Sequence, residues 1–354
     1  MEEQRVTVVT GGQAGSEGKG AVTGRLHLDR KYDIAVRVGG PNAGHSVVHP
    51  ESGTKFALRQ IPVAAVVDPN CMLAIAPGSE VDPWVLADEI QVLAQAGIRV
   101  YNRLWVDPTA TFLVPEYANQ EAGLQHGTTG KGIGAARAAR ALRQAKLIGE
   151  YQPTGDHFEW MLGDVGGMLR ETLAEGGSVM IEGTQGYELG SHAGSYPYCT
   201  SGDCKASDFI AAAGLPPVQA DVWNVLRTYP IRIAGNSGPL PGETDWEAIG
   251  VPPEYTTVTK KMRRVAQWNW DWAMRSVRAN QDPLHPERCK LALTFADYWW
   301  PELKMSDGDV WFGDLDQPIQ AKLNEIAGIL GAEVGMVGTG PAHQLRINGQ
   351  KERY

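Results

Sequence analysis

Residues 6–9, Val-Thr-Val-Val, are followed after Thr10 by Gly11-Gly12-Gln13-Ala14-Gly15-Ser16-Glu17-Gly18-Lys19-Gly20. A helix-compatible stretch from Ala21 and a second apolar run at 34–38 follow. Strand, glycine turn, helix and strand in that order open a βαβ unit, which commits the chain to a parallel sheet with crossover helices. Further short apolar runs at 72–75, 178–181, 222–226 and 291–295 alternate with helical patterns at 84–96, 135–146, 160–174 and 319–330. The expected fold is therefore α/β, a central, mostly parallel sheet covered by helices with long active-site loops. No repeat or low-complexity linker divides residues 1–354, so a single domain is expected. The proline- and glycine-rich stretch 234–253 is either a domain boundary or a long functional loop.

Net charge narrows the partners. At -9 the whole-molecule field opposes attraction to nucleic acid or anionic membrane, so any phosphate must be held by local groups. The charged start carries no secretory segment, and no run approaches the roughly 18 apolar residues of a membrane span. A cytoplasmic enzyme of small molecules is expected. Cys199 and Cys204, five apart, fit no common zinc or redox spacing, so these and Cys71 and Cys289 read as reduced, structural thiols.

Five segments can carry chemistry. The loop Gly11 to Gly20 sits where backbone N–H groups and a helix N-terminus hold phosphate, with Lys19 adding a point charge. It is not a Walker A loop: the glycine spacing differs, and Gly20 stands where Ser or Thr would bind magnesium. Asn42-Ala43-Gly44-His45-Ser46 brings out a histidine, the usual proton donor to an oxygen gaining charge. Gly127-Thr128-Thr129-Gly130 precedes a helix bearing Arg137, Arg140 and Arg143, which suits a phosphomonoester or else forms a solvated basic face. Glu182-Gly183-Thr184-Gln185-Gly186 follows an apolar strand and continues to Tyr196-Pro197-Tyr198-Cys199-Thr200-Ser201. Thr257-Val258-Thr259-Lys260-Lys261-Met262-Arg263-Arg264 concentrates cations able to clamp a dicarboxylate.

Taken in this order, the five segments resemble the adenylosuccinate synthetase family along nearly the whole chain, from Val6 to about Arg346. That family reads Asp-Glu-Gly-Lys-Gly, Asn-Ala-Gly-His, Gly-Thr-Thr-Gly, Glu-Gly-x-Gln-Gly and Tyr-Pro-Tyr-x-Thr-Ser at the corresponding places. The resemblance implies that Gly15, Glu17, Gly18, Lys19 and Gly20 meet the donor phosphates, together with Gly44, His45 and Ser46. It implies His45 as general acid, and Ser16 and the Gly44 carbonyl beside Mg2+. Ser16, Asn42, Ala43, Thr128, Thr129, Gln185 and Thr200 would meet the purine nucleotide, as would Arg143, which reaches across a homodimer. Thr257, Val258, Thr259, Lys261 and Arg263 would meet L-aspartate, and Asp297 with Gly338, Thr339 and Gly340 the donor base. The implied reaction transfers a γ-phosphoryl group to the purine 6-oxygen; the aspartate amine then displaces phosphate at carbon 6.

The departures point to the substrate. Ser16 stands where the family has its catalytic aspartate, and a hydroxyl leaves room for the 2-amino group of guanine. Pro41 before Asn-Ala-Gly-His, Lys260-Lys261 in place of Gly-Arg, and Cys199 and Cys204 around Thr200 to Asp203 move with it. The set resembles the phage branch that joins aspartate to dGMP for diaminopurine DNA. An IMP-using member, or a homologue without catalysis, is the alternative. Phe295 replaces the family's lysine two residues before Asp297, which favours ATP or dATP over GTP as donor. Asp297 itself can accept from either base. Trp268, Trp270, Trp272, Trp299 and Trp300 read as core packing or a dimer surface.

Overall fold

The computed structural model describes residues 5–122, 129–150, 161–255 and 261–350. Their main feature is a ten-stranded sheet. In chain order its strands are β1 (Val6–Gly11), β2 (Ile34–Arg37), β3 (Met72–Ile75), β4 (Leu104–Val106), β5 (Val179–Glu182), β6 (Asp221–Arg227), β7 (Cys289–Thr294), β8 (Gly308–Trp311), β9 (Val334–Gly338) and β10 (Gln344–Asn348). Across the sheet they lie β8-β10-β9-β7-β6-β1-β5-β2-β3-β4. Every pairing is parallel except β9 with β10. Helices cover both faces, so the central strands are buried throughout and read in sequence as continuous apolar runs rather than alternating ones.

The expected strands all form. Two helices begin or end differently. The pattern at 135–146 folds as α2 (Ile133–Ala141), after α1 (Lys19–Asp29), and stops early because Arg143 takes a left-handed φ of 62°. The pattern at 160–174 starts at Val165, where the Asp164 carboxylate accepts from Gly167 N at 2.7 Å and caps the helix. The segment 234–253, read as a domain boundary or a long functional loop, contributes one short strand. It threads a three-stranded antiparallel sheet of Ile231–Arg232, Arg264–Ala266 and Glu243–Thr244.

A helix absent from the sequence pattern, α3 (Trp270–Asn280), is capped by Asn269, whose side chain accepts from Trp272 N at 2.9 Å. Of the five tryptophans here, Trp272 and Trp300 are buried, while Trp268 meets Trp270 and Trp299 edge-on at 5.5 and 5.4 Å, all three half-buried against the core. All four cysteines are free thiols, and burial pushes Cys71, Cys204 and Cys289 up to about 12, which leaves them inert. No helix among the described residues is long and apolar enough to cross a membrane.

On α1, His27 is fully buried against the edge of Tyr32, and neither ring nitrogen has a hydrogen-bond partner among the described residues. Burial lowers its imidazole to about 4. Below pH 6.5 the unfolded chain takes up a proton that the folded chain refuses, so stability falls with pH by about 1.4 kcal/mol per unit until pH approaches 4. Thermal melts of the ligand-free protein between pH 7 and 5 are expected to show this decline, and His27→Leu to make it shallower. Identical slopes in the two proteins would contradict the assignment.

Candidate active site

Three of the deepest charges on the sheet close adjacent or near-adjacent strands at their carboxyl ends: Arg37 ends β2, Glu182 ends β5 and Arg227 ends β6. All three are fully buried. That edge is where open parallel sheets place their ligands, and the glycine loops emerge from it.

The first loop leaves β1 and enters α1 through Gly18, left-handed at φ 86°. Glu17 turns inward. Its carboxylate accepts from Gln13 N at 3.2 Å, Gly15 N at 2.8 Å and Lys19 Nζ at 2.7 Å, so it shapes the loop and anchors the lysine. Lys19 also donates to the Gln185 carbonyl at 2.5 Å, tying this loop to the one after β5. Ser16 is exposed at the tip with φ 58°, and Arg227 holds its carbonyl at 3.1 Å. The absence of a Walker serine has a steric cause. A Cβ at Gly20 would stand 2.4 Å from the Ser46 carbonyl and 2.9 Å from the His45 Cβ, so this position is where the first two loops touch. Gly20→Ser is therefore expected to cost about 1–3 kcal/mol by overpacking and to displace His45; an unchanged melting temperature would contradict that contact.

His45 begins a hairpin strand, His45–Val48, paired with Lys55–Leu58, and is itself buried. Its Nδ1 lies 2.5 Å from Glu182 Oε1 and equally close to Arg37 Nη1. Arg37 in turn pairs with Glu182 and donates to the Ala43 carbonyl at 2.6 Å. Burial alone would raise the Glu182 carboxyl, but Arg37, His45 and the Val63 N–H hold it at about 2. The ionised carboxylate accepts, so the Nδ1 proton points to Glu182. The other ring nitrogen, Nε2, is buried without a partner. Burial first, then Arg37, holds the ring at about 3, hence neutral. A ligand oxygen carrying negative charge at Nε2 reverses that balance and favours the doubly protonated ring. Ser46 and Gly44 are exposed beside it.

A cavity of about 190 Å³ joins Asn42, Gln185 and Thr200 from three loops, with Arg137 of α2. Gln185 is fixed at φ 63° and Thr200 N donates to the Leu189 carbonyl at 2.7 Å. Thr129 and Arg143 are exposed near the two ends of α2, and Thr128 lies outside the described residues. A larger cavity, about 540 Å³, opens at Asp33, Asp68 and Cys71, at the amino ends of β2 and β3, away from every glycine loop.

On the other flank, Thr294 Oγ1 donates to the Glu17 carbonyl at 2.6 Å, and a Cβ at Gly18 would reach Thr294 and Phe295. Asp297 is half-buried, its carboxyl raised by burial. Gly338 ends β9 against Thr294, and Gly340 faces Met305. Thr339 turns away, giving its hydroxyl to the Ser306 carbonyl at 2.5 Å. The Phe295 ring carries the Arg227 guanidinium 4.0 Å over its centre. Arg227 also pairs with Glu254, whose carbonyl accepts from Arg263 N at 2.8 Å. Of the cationic loop, Thr257, Val258 and Thr259 lie outside the described residues; Lys261 is exposed and Arg263 has a buried Nε without a partner. Arg264 is committed to Glu243.

Arg37, Arg227 and Glu80 lie outside the five sequence motifs, whereas Arg137 sits on the basic helix expected to suit a phosphomonoester and Glu182 opens the segment Glu182 to Gly186. The oxygens that a magnesium ion would need fit this site. Ser16 and Gly44, which offer a hydroxyl and a carbonyl, are exposed residues on loops that touch, and this cation is usually held by few protein oxygens plus substrate phosphates and water.

Residues 8–151 and 142–282 match the family model described as Adenylosuccinate synthetase. The chain is similar to the adenylosuccinate synthetase of Thermococcus sibiricus, 36% identical over 344 residues, 94% of this chain and 95% of that one. Among solved structures it resembles the succinoaminodeoxyadenylate synthetase of cyanophage S-2L bound to dGMP and dATP, with TM-score 0.79 and 28% identity over 99% and 97% of the two chains. The fully ligated adenylosuccinate synthetase of Plasmodium falciparum shares the fold, with TM-score 0.80 and 20% identity over 97% and 100%.

Proposed function

The chain belongs to the adenylosuccinate synthetase family of C–N ligases, which join aspartate to a purine nucleotide, and from that premise we propose that its purine is dGMP and its product 2-amino-2'-deoxy-N6-succinyladenylate. The observation that carries this reading is Ser16. It holds the family's aspartate position on an exposed, left-handed backbone, where a short hydroxyl leaves space beside ring N1 for a 2-amino group. A similar enzyme holding dGMP and dATP supports the same purine and an adenine donor.

In the proposed mechanism the first loop and Lys19 meet the donor phosphates, and the Glu17 carboxylate keeps both in register. His45, oriented by Glu182, donates from Nε2 to the 6-oxygen or to the phosphate it becomes, while Glu182 stabilises the ring's positive form. As ring N1 gives up its proton to water, the γ-phosphoryl group passes from the donor, which leaves as its diphosphate, to the 6-oxygen. The aspartate amine, aligned by Lys261 and Arg263 with Thr257, Val258 and Thr259, attacks carbon 6 and phosphate leaves. Ser16 and the Gly44 carbonyl would hold Mg2+, which offsets charge on the transferring group when bound. Asp297, Gly338 and Gly340 face the donor base; Asn42, Ala43, Thr128, Thr129, Gln185 and Thr200 the purine nucleotide. Arg143, exposed at the end of α2, completes the site of a partner subunit in a homodimer.

The second reading, IMP with GTP, is favoured by the archaeal relatives, named as adenylosuccinate synthetases. Phosphate release by the purified protein with Mg2+ and ATP tests the ligase reading. Release that needs both aspartate and dGMP is expected; ADP formation at full rate without aspartate, with the γ-phosphoryl group retained on the nucleotide, would make the protein a kinase instead.

A further inference from the structure

Among the described residues lining the 190 Å³ cavity, Arg137 is the one lysine or arginine, facing the carboxylates of Glu80, Asp203 and Asp208. Two of those three are already engaged within their own loops. Asp203 accepts from His192 N at 3.0 Å and faces His192 Nδ1 at 2.7 Å, and Asp208 accepts from Lys205 N at 3.0 Å. Glu80 is different. It is 3% exposed, its Oε1 accepts from Arg137 Nε at 2.6 Å, and its Oε2 is buried without a partner. Glu80 therefore takes one edge of the guanidinium and leaves the terminal nitrogens free to turn elsewhere; no other described residue accepts from them.

Their direction is set by Gly202. A Cβ there would stand 1.8 Å from Arg137 Nη1, so the guanidinium lies directly against the peptide of the turn that carries Thr200. A purely structural ion pair would be satisfied at both ends. This one is anchored at one end and open toward Asn42, Gln185 and Thr200. A planar fork fixed at Nε and open at its terminal nitrogens is the geometry that receives two oxygens of one phosphate. Without it, the charged groups among the described residues lining the cavity would be carboxylates alone.

We infer that Arg137, oriented by Glu80 and seated on Gly202, grips the phosphomonoester of the purine nucleotide. This rests on the reading above that a nucleoside monophosphate occupies the cavity. Arg137 is then a binding residue, and Glu80 a positioning residue acting through it.

Calorimetric titration of the full-length protein with dGMP and with deoxyguanosine, which lacks the phosphate, tests it in wild type, Arg137→Ala, Arg137→Lys and Glu80→Gln. Arg137→Ala is expected to weaken dGMP by about 10- to 100-fold and to leave deoxyguanosine unchanged, with Arg137→Lys intermediate and Glu80→Gln weaker than wild type for dGMP only. The dGMP-induced rise in melting temperature should shrink in the same order, a readout that loss of a structural contact alone does not move. Equal weakening of both ligands, or unchanged dGMP affinity in Arg137→Ala while wild type binds, overturns the inference alone. Failure of wild type to bind dGMP overturns the functional reading, and this inference with it.

Discussion

His45→Asn is expected to lower the rate of aspartate-dependent phosphate release at saturating substrates by about 10²- to 10⁴-fold, the usual worth of a positioned general acid. The affinity for the purine nucleotide should stay within a few-fold of wild type. The asymmetry follows from the site. Nε2 is the one ring atom left without a partner, while Nδ1 is committed to Glu182, so the substitution removes a proton donor without opening the cavity at Asn42, Gln185 and Thr200. Glu182→Gln should reproduce part of the rate loss. An amide there stabilises the imidazolium less, and the Arg37 guanidinium would lose its paired charge in a buried place. Steady-state rates with calorimetry on the same preparations check both. Loss of nucleotide binding equal to the loss of rate would reduce His45 to a structural residue.

The second large effect concerns the purine. Ser16→Asp should shift the ratio of kcat/KM for dGMP over that for IMP by about 10²-fold toward IMP, because a site shaped around a 2-amino group rejects its neighbour by steric and hydrogen-bond misfit. Ser16 is exposed and its carbonyl, rather than its side chain, is held by Arg227, so the substitution can be made without disturbing the loop. Parallel assays with the two nucleotides measure the shift. A variant that loses rate equally with both would show that position 16 does not read the base.

Much of this was legible in the sequence where the determinant is local. Gly18 and Gly20 announce a phosphate loop because only glycine tolerates φ 86° and the 2.4 Å approach to Ser46. The strands announce themselves because β1, β2 and β5 are buried on both faces. What escaped is non-local. Arg37 meets Glu182 across 145 residues, and Gln13 meets Arg227 across 214, so no spacing rule connects them. Glu17 read as a phosphate contact, yet its carboxylate folds under the loop and satisfies the loop's own N–H groups. The helix Trp270–Asn280 was hidden because its tryptophans looked like a cluster without a period, and the stretch 234–253 read as a domain boundary or a long functional loop because its one short strand, Glu243–Thr244, pairs with residues 265–266.

The most direct test of the central claim is a competition in one tube: equal concentrations of dGMP and IMP with Mg2+, aspartate and ATP, and both succinyl products quantified by mass spectrometry. The ratio of products reports relative kcat/KM without any assumption about saturation. The 2-amino-2'-deoxy product is expected to dominate by about 10²-fold. Adenylosuccinate as the main product would contradict the account and make this chain an IMP enzyme with an unusual first loop.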